Sequence, residues 1–543
     1  MSLQHVRGFF RLDPGSIPAV LIRPALPVGR FRCARLDPFR TPGLPLCCKA
    51  RFMRPCQNRK AVLAKKAFIR RVPVGERPGD PATPAAHLPR KDTEVMAEIA
   101  PFRGLRYSPK AAPDLAKVVI PPYDVISPAE QELFLHTSPY NMVHLELGRS
   151  DRSDTPENNS HTRAGRTFED WVRNGVLVRE ALPAVYYYEL DYALSPGKEA
   201  TRRGFICAMR LEDFRSGTVR PHEKTFQAVK DERLGLMLSC GANLSSVFSL
   251  YSDPESVVDE TLRSGREAAP AMAFVDRQGM SHRIWRVTDR GVLQRVAELM
   301  KGKAIFIADG HHRYETGLNY RDLQRRRNPS AGPHAAFEYI MMYLSNLNQE
   351  GLTILPTHRL LRNLGSWDPE SILKRAEAFF EVKRFSSDVP GERMLCSELA
   401  SRGDRKETAI GFFWDNVGSF FLLSARREPV SSYLAGRGIP VETRGLDVVV
   451  LDQVVLRNLL GLSEEYLSSE HNIHFKHDLA ESIGAVRSGD YEAAFLINPT
   501  RIEQVQEVAS AKLVMPHKST YFYPKVGSGM VIRSLSPEEE TVW

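Results

Sequence analysis

Ile305-Phe306-Ile307-Ala308-Asp309-Gly310-His311-His312-Arg313-Tyr314-Glu315-Thr316 is the stretch from which the fold class follows. The apolar run at 303–308 predicts a short strand, Asp309-Gly310 predicts a turn, and 313–326 has the pattern of a helix. Asp309 is expected to cap that helix, while Gly310 allows a positive φ or close approach of the backbone to a ligand. A helix start offers free N–H groups and a positive dipole end, and Arg313 adds a forked cation. Together these suit a phosphate. His311 and His312 leave the helix start in different directions, so they do not hold one metal together. One suits general acid/base work while the other packs. The plain alternative is a capping aspartate with packing histidines, but so many adjacent polar groups after an apolar strand favour a site. The chain has no P-loop, no GxGxxG and no HExxH, which removes the commonest NTPase, dehydrogenase and zincin readings.

Outward from this turn, strands and helices interleave. The aromatic run 183–194 is β-prone, Ser195-Pro196-Gly197 is a turn, and 201–211 returns as an antiparallel partner. Residues 168–174 end an amphipathic helix that leads through 176–178 into this hairpin. Further strands are expected at 282–287, 408–414, 420–424 and 493–497, helices at 447–460 and 478–488, and a loop-and-strand segment at 513–532. The mixture reads as α+β, or mixed α/β. A boundary near 365–369 divides a main α+β domain, 96–367, from a smaller α+β C-terminal domain, 368–543.

The first 95 residues are unlike the rest. The chain has 543 residues with 42% hydrophobic and 26% charged, an ordinary globular composition, and a net charge of +9. Residues 1–95 hold 19 Lys and Arg against 6 Asp and Glu, leaving 55 against 59 in the remainder, so the basicity belongs to this segment alone. It also holds 13 of 37 prolines and four of seven cysteines, and no sustained periodicity. The expectation is a disordered or mis-translated extension, with Met96 as the true beginning. A transit peptide and a basic nucleic-acid arm are the alternatives. The later cysteines, Cys207, Cys240 and Cys396, form no CxxC. Free thiols without an export signal fit a cytoplasmic protein. No apolar run reaches the ~18 residues of a membrane span.

A second constellation is Arg220-Pro221-His222-Glu223-Lys224-Thr225, which presents a base, a carboxylate and a hydroxyl in one loop. Lys230 and Arg233 follow three apart on a helix face and suit a second anionic group; ordinary surface charge explains them equally well. Pro121-Pro122-Tyr123-Asp124 follows a strand end, either beside a ligand or as a stiff connector. In the 515–525 stretch, Lys518 with Ser519 and Thr520 suits a phosphate or carboxylate, against the alternative of an aromatic clasp. Pro356-Thr357-His358-Arg359 is aimed at the same cleft. Arg325-Arg326-Arg327 is a charged helix C-terminus, which the dipole favours.

From Met96 to about 535 the chain resembles the bacterial and archaeal domain-of-unknown-function family numbered 1015. The residues that carry the likeness are Ile99–Gly104, Pro121–Ser127, Ser138–Asn141, Pro221–Thr225, Ala242–Ser245, Ile307–Thr316, Pro356–Arg359 and Met515–Lys525. That family implies no activity. The Asp309-Gly310-His311-His312-Arg313 run is also similar to the phosphate-binding signature of the ParB/sulfiredoxin-like superfamily, which includes free-serine kinases. That similarity implies a nucleotide-phosphate cradle at Gly310, His311, His312 and Arg313, within a ParB/sulfiredoxin-like element of the main domain. No cysteine accompanies the signature, which argues against sulfinic-acid chemistry.

The expectation is therefore an enzyme that passes a phosphoryl group from a nucleotide, ATP or ADP with Mg²⁺, to a small polar metabolite. His222 or Glu223 would act as base, with Asp309 and His311 as further catalytic groups. Gly310, His312, Arg313, Thr225, Lys230, Arg233 and Lys518 would bind the cofactor, and Asp309 is the candidate Mg²⁺ ligand. The alternatives are a non-enzymatic nucleotide-sensing or nucleic-acid-binding module, and a metal-dependent hydrolase using His222, Asp309, His311 and His358. Nucleic acid is disfavoured because the chain after residue 95 carries no basic excess.

Overall fold

The computed structural model describes residues 96–536 and 539, apart from 196, 366–367, 415–416 and 470. The expectations for residues 1–95 lie outside the described residues. The described chain is mixed α/β, as its interleaved periodicities require. Among the described residues no helix is long and apolar enough to cross a membrane.

Nine strands of the described chain make the main sheet: β1 (Ile99–Ala100), β2 (Val185–Ser195), β3 (Lys198–Arg210), β4 (Val219–Arg220), β5 (Val247–Tyr251), β6 (Met272–Val275), β7 (Ser281–Val287), β8 (Ile305–Asp309) and β9 (Tyr339–Asn346). Their order is β4-β8-β5-β9-β3-β2-β7-β6, with β1 on β3. The expected hairpin is β2–β3, with Tyr186 opposite Ile206 and Gly197 turning at φ 80°. Side chains alternate along each strand, so the central strands feed two cores. Tyr187, Phe205, Met342 and Ile307 face one way, onto the helices Val257–Gly265 and Arg290–Met300 through Leu262 and Val296. Tyr188, Ile206, Tyr343 and Phe306 face the other way, into a cluster that runs on through the second half of the chain.

That second half contains an antiparallel sheet of β10 (His358–Leu361), β11 (Phe380–Ser386), β12 (Ala409–Trp414), β13 (Ser419–Ala425), β14 (Ile473–Lys476) and β15 (Ala493–Ile497), in the order β11-β13-β12-β15-β10-β14. Phe412, Phe421 and Phe495 turn towards the shared core, whereas Phe413, Phe420 and Leu496 pack on the helices Val389–Asp404 and Leu479–Arg487. The helix expected at 447–460 is present with a change of winding: Asp447–Val450 is α-helical and Leu451–Leu459 is a π-helix.

Two features of this architecture place the site. First, β4 and β8 are parallel neighbours, with Ile305 opposite Val219. The segments after them, carrying His222-Glu223 and Gly310-His311, therefore leave the sheet at the same end, where ligand sites of α/β sheets form. Second, Thr353–Leu355 pairs antiparallel with Tyr521–Tyr523, which lays the 515–525 stretch beside the 356–359 segment.

Candidate functional site

Asp309 ends β8, and Gly310 follows at φ 90°, a conformation a side chain disfavours. A Cβ on Gly310 would also lie 2.8 Å from Arg313 Nε, so the turn favours glycine on both counts. Helix α1 (His311–Arg327) then begins with Gly310 as its N-cap residue and no side-chain cap. The expected cap by Asp309 is thus corrected. Its carboxylate is drawn back along the strand by Lys525, to which Oδ1 bonds, and by Arg313, which donates to Oδ2 at 2.5 Å. Arg313 also donates to the Ser246 carbonyl at 2.6 Å. Burial would raise the Asp309 pKa, but the charges of Lys525 and Arg313 outweigh it and hold the carboxyl well below its usual range.

The two histidines diverge. His311 is buried, and its Nε2 accepts from the His222 N–H at 3.3 Å, which leaves the proton on Nδ1. That Nδ1 faces Glu223 Oε2 at 3.8 Å. His312 is half-buried, and its Nε2 accepts from the Phe226 N–H at 3.0 Å, tying the helix start to the loop after β4. Burial, reinforced by the neighbouring His222, keeps His311 neutral far below its ordinary pKa.

His222 is wholly buried, edge-on to His311, and hydrogen-bonded to Thr520 Oγ1 at 2.9 Å; burial pushes it down to about 4. Glu223 behaves oppositely. Burial raises its carboxyl to about 7, although Lys518 and Lys525 pull the other way. Glu223 is therefore the group able to exchange a proton near neutrality, with His311 Nδ1–H beside it.

The remaining expected residues divide. Lys230 pairs with Glu315 at 2.7 Å. Arg233, on the helix Gln227–Cys240, is buried between Glu146, at 3.2 Å, and Glu232, and stacks over Tyr123 at 4.0 Å. Both cations already have carboxylate partners. Thr225 is half-buried in the loop, and Lys518 faces the cleft described below. His358 lies on β10, its Nδ1 accepting from the Ile497 N–H at 3.3 Å. Among the described residues no three His, Cys, Asp or Glu side chains form a metal-holding group, so the hydrolase alternative has no assembled ligand set. Sequence reasoning missed Lys525 as the partner of Asp309. The only signal was a lysine closing the Tyr521-Phe522-Tyr523-Pro524 run, far from Asp309 along the chain.

At the loop that follows Glu223 opens a cleft of about 1110 Å³, bordered by Asp124, Lys224, Phe226, Arg359, Lys518 and Tyr521 among others. The loops that the sequence singled out thus converge on one end of the main sheet.

Fold and site together define a mixed α/β protein with an anion-compatible turn and a carboxyl poised near neutrality. The chain belongs to the family described as protein of unknown function (DUF1015), which matches residues 99–449. No curated protein matches it. Among solved structures, a conserved hypothetical protein from Pyrococcus furiosus is similar at 13% identity and a TM-score of 0.27, over 57% of this chain and 90% of that one. A free serine kinase in complex with AMP gives 13% and 0.27, over 56% and 83%. SbnI with C-terminal truncation from Staphylococcus aureus gives 9% and 0.26, over 59% and 84%. Similarity of that degree assigns no activity.

Proposed function

We propose that the chain is an enzyme that binds a nucleotide at the Gly310 turn and transfers a phosphoryl group to the hydroxyl of a small polar metabolite. One observation carries this: Glu223, with its carboxyl raised to about 7, stands 3.8 Å from His311 at the uncapped start of α1. The free N–H groups of that first turn are the phosphate cradle. Glu223 takes the acceptor proton as the new O–P bond forms. The terminal P–O bond of the nucleotide breaks, and its oxygen leaves with the shortened nucleotide. His222, fully buried and bonded to Thr520, positions His311 through its backbone N–H and does not itself reach a substrate.

Asp309 does not fit the role of Mg²⁺ ligand, because its oxygens are taken by Lys525 and Arg313. Asp309, Arg313 and Lys525 instead hold the turn rigid, which positioning catalysis requires.

The test is nucleotide consumption by the full chain against a panel of hydroxylated metabolites. Glu223→Gln should lower turnover on the order of 10²–10⁴-fold, the usual worth of a general base, while nucleotide binding persists. A Glu223→Gln variant that turns over like the unmodified chain would refute this assignment.

A further inference from the structure

The cleft at the loop that follows Glu223 holds charges that the transfer step leaves unused. Arg359 on its wall is 4% exposed and makes no salt bridge among the described residues. Its guanidinium donates to backbone carbonyls only, those of Thr357 and of Lys518, the latter at 3.0 Å, and lies 5.4 Å over the Phe475 ring. A buried cation with no carboxylate of its own is costly unless something else supplies the negative charge.

Lys518 adjoins it. Among the described residues its ammonium has neither a salt bridge nor a hydrogen bond. Its backbone sits at φ 55°, in the left-handed region that favours glycine. The surrounding loop imposes that conformation. Met515 N–H donates to the His222 carbonyl at 2.8 Å, Ser519 Oγ to the Pro516 carbonyl at 2.6 Å, and Thr500 Oγ1 to the Ser519 carbonyl at 2.8 Å. A lysine held where glycine would be easier, with its charge unpartnered, points to a ligand.

The opposite wall agrees. It is the π-helix Leu451–Leu459, a winding that recurs at functional sites. Its Asp452 is the acid that acts most on Arg359, but that charge is shared, since Oδ2 accepts from Arg457 at 3.1 Å and from Gln453 at 2.5 Å. Glu223 is the next acid acting on Arg359, Lys518 acts on Glu223 in turn, and Glu223 neighbours the cradle.

We propose that this cleft is the acceptor pocket, and that the acceptor carries a compact oxyanion, carboxylate or phosphate, which docks between Lys518 and Arg359 and turns its hydroxyl towards Glu223. The assignment rests on the phosphotransferase reading for the role of Glu223; the anion site itself stands on the geometry of the cleft. A forked guanidinium and an ammonium are the donors that such a group selects. The aromatic wall of Phe226, His517 and Phe475 covers the apolar remainder of the molecule.

Calorimetric titration of the full chain tests this with 3-hydroxypropanoate, glycerol phosphate and uncharged glycerol as probes, and with ADP in a separate titration. At least one anionic probe should bind more tightly than glycerol, and the preferred one tells carboxylate from phosphate. Lys518→Gly should weaken that probe tenfold or more while melting no lower than the unmodified chain, and Lys518→Arg should restore it. Equal binding by Lys518→Gly, or no anion preferred over glycerol, overturns the proposal. ADP binding without a Lys518-dependent anion sinks the pocket alone. A Lys518-dependent anion without nucleotide binding keeps the pocket and sinks the transfer reading.

Discussion

Around Asp309 every charged group has a partner of opposite sign: Lys525 and Arg313 close on its carboxylate, and Arg313 is further bound to the Ser246 carbonyl. Around Lys518 the cations have, among the described residues, backbone carbonyls or no hydrogen-bond partner, with a wide cleft in front of them. Both regions belong to one site, yet the first is closed on itself and the second is open. The residues of the Asp309–Arg313 run thus build the turn, and the charge available to a ligand sits on the 356–359 and 515–525 stretches.

The largest way to break this contrast is Asp309→Asn. It leaves Lys525 and Arg313 buried without their counter-charge and should cost about 3–5 kcal/mol in denaturant unfolding. A loss under about 1 kcal/mol would show that the cluster is not closed as described.

Glu223 comes next, on the open side. Its folded pKa of about 7 lies above the ordinary 4.5, so the folded chain keeps a proton that the unfolded chain has lost. Stability should therefore fall as pH rises from about 4.5 to about 7 and change no further above that. Relative to the unmodified chain, Glu223→Gln should gain on the order of 2 kcal/mol at pH 8 and nothing at pH 4. Parallel stability profiles for the two proteins would contradict the shift. Gly310→Ala should cost about 1–2 kcal/mol, because alanine disfavours φ 90° and its Cβ meets Arg313. An unchanged melting temperature would mean that the turn relaxes. The smallest effect is a gain: Lys518→Gly relieves the left-handed backbone, and should stabilise by up to about 1 kcal/mol where every change at the Asp309 cluster destabilises. A destabilised Lys518→Gly would place Lys518 with the closed region.

Much of the fold was legible in the sequence. The β2–β3 hairpin, the β8 strand, the turn and α1 follow from alternating and helical spacing, which are local signals. β9, Tyr-Ile-Met-Met-Tyr-Leu-Ser-Asn at 339–346, was not, because a strand buried on both faces has no alternation to read. The π-winding at Leu451–Leu459 was also hidden, since its apolar spacing passes for that of an α-helix. In the site, the convergence of loops follows from β4 and β8 being parallel neighbours, which no local pattern encodes. Asp309 was assigned as a cap because Asp-Gly before a helix is the local habit of caps. Its actual partner, Lys525, lies 216 residues away. Charge pairing at that separation is decided by tertiary structure.

The most direct test of the account is titration of the full chain with ATP and with ADP, followed by thermal unfolding. A nucleotide at the Gly310 turn should bind saturably, stabilise by roughly 2.7 kcal/mol at a hundredfold excess over Kd, and lose tenfold or more in affinity in Gly310→Ala. A chain that neither nucleotide stabilises would contradict it.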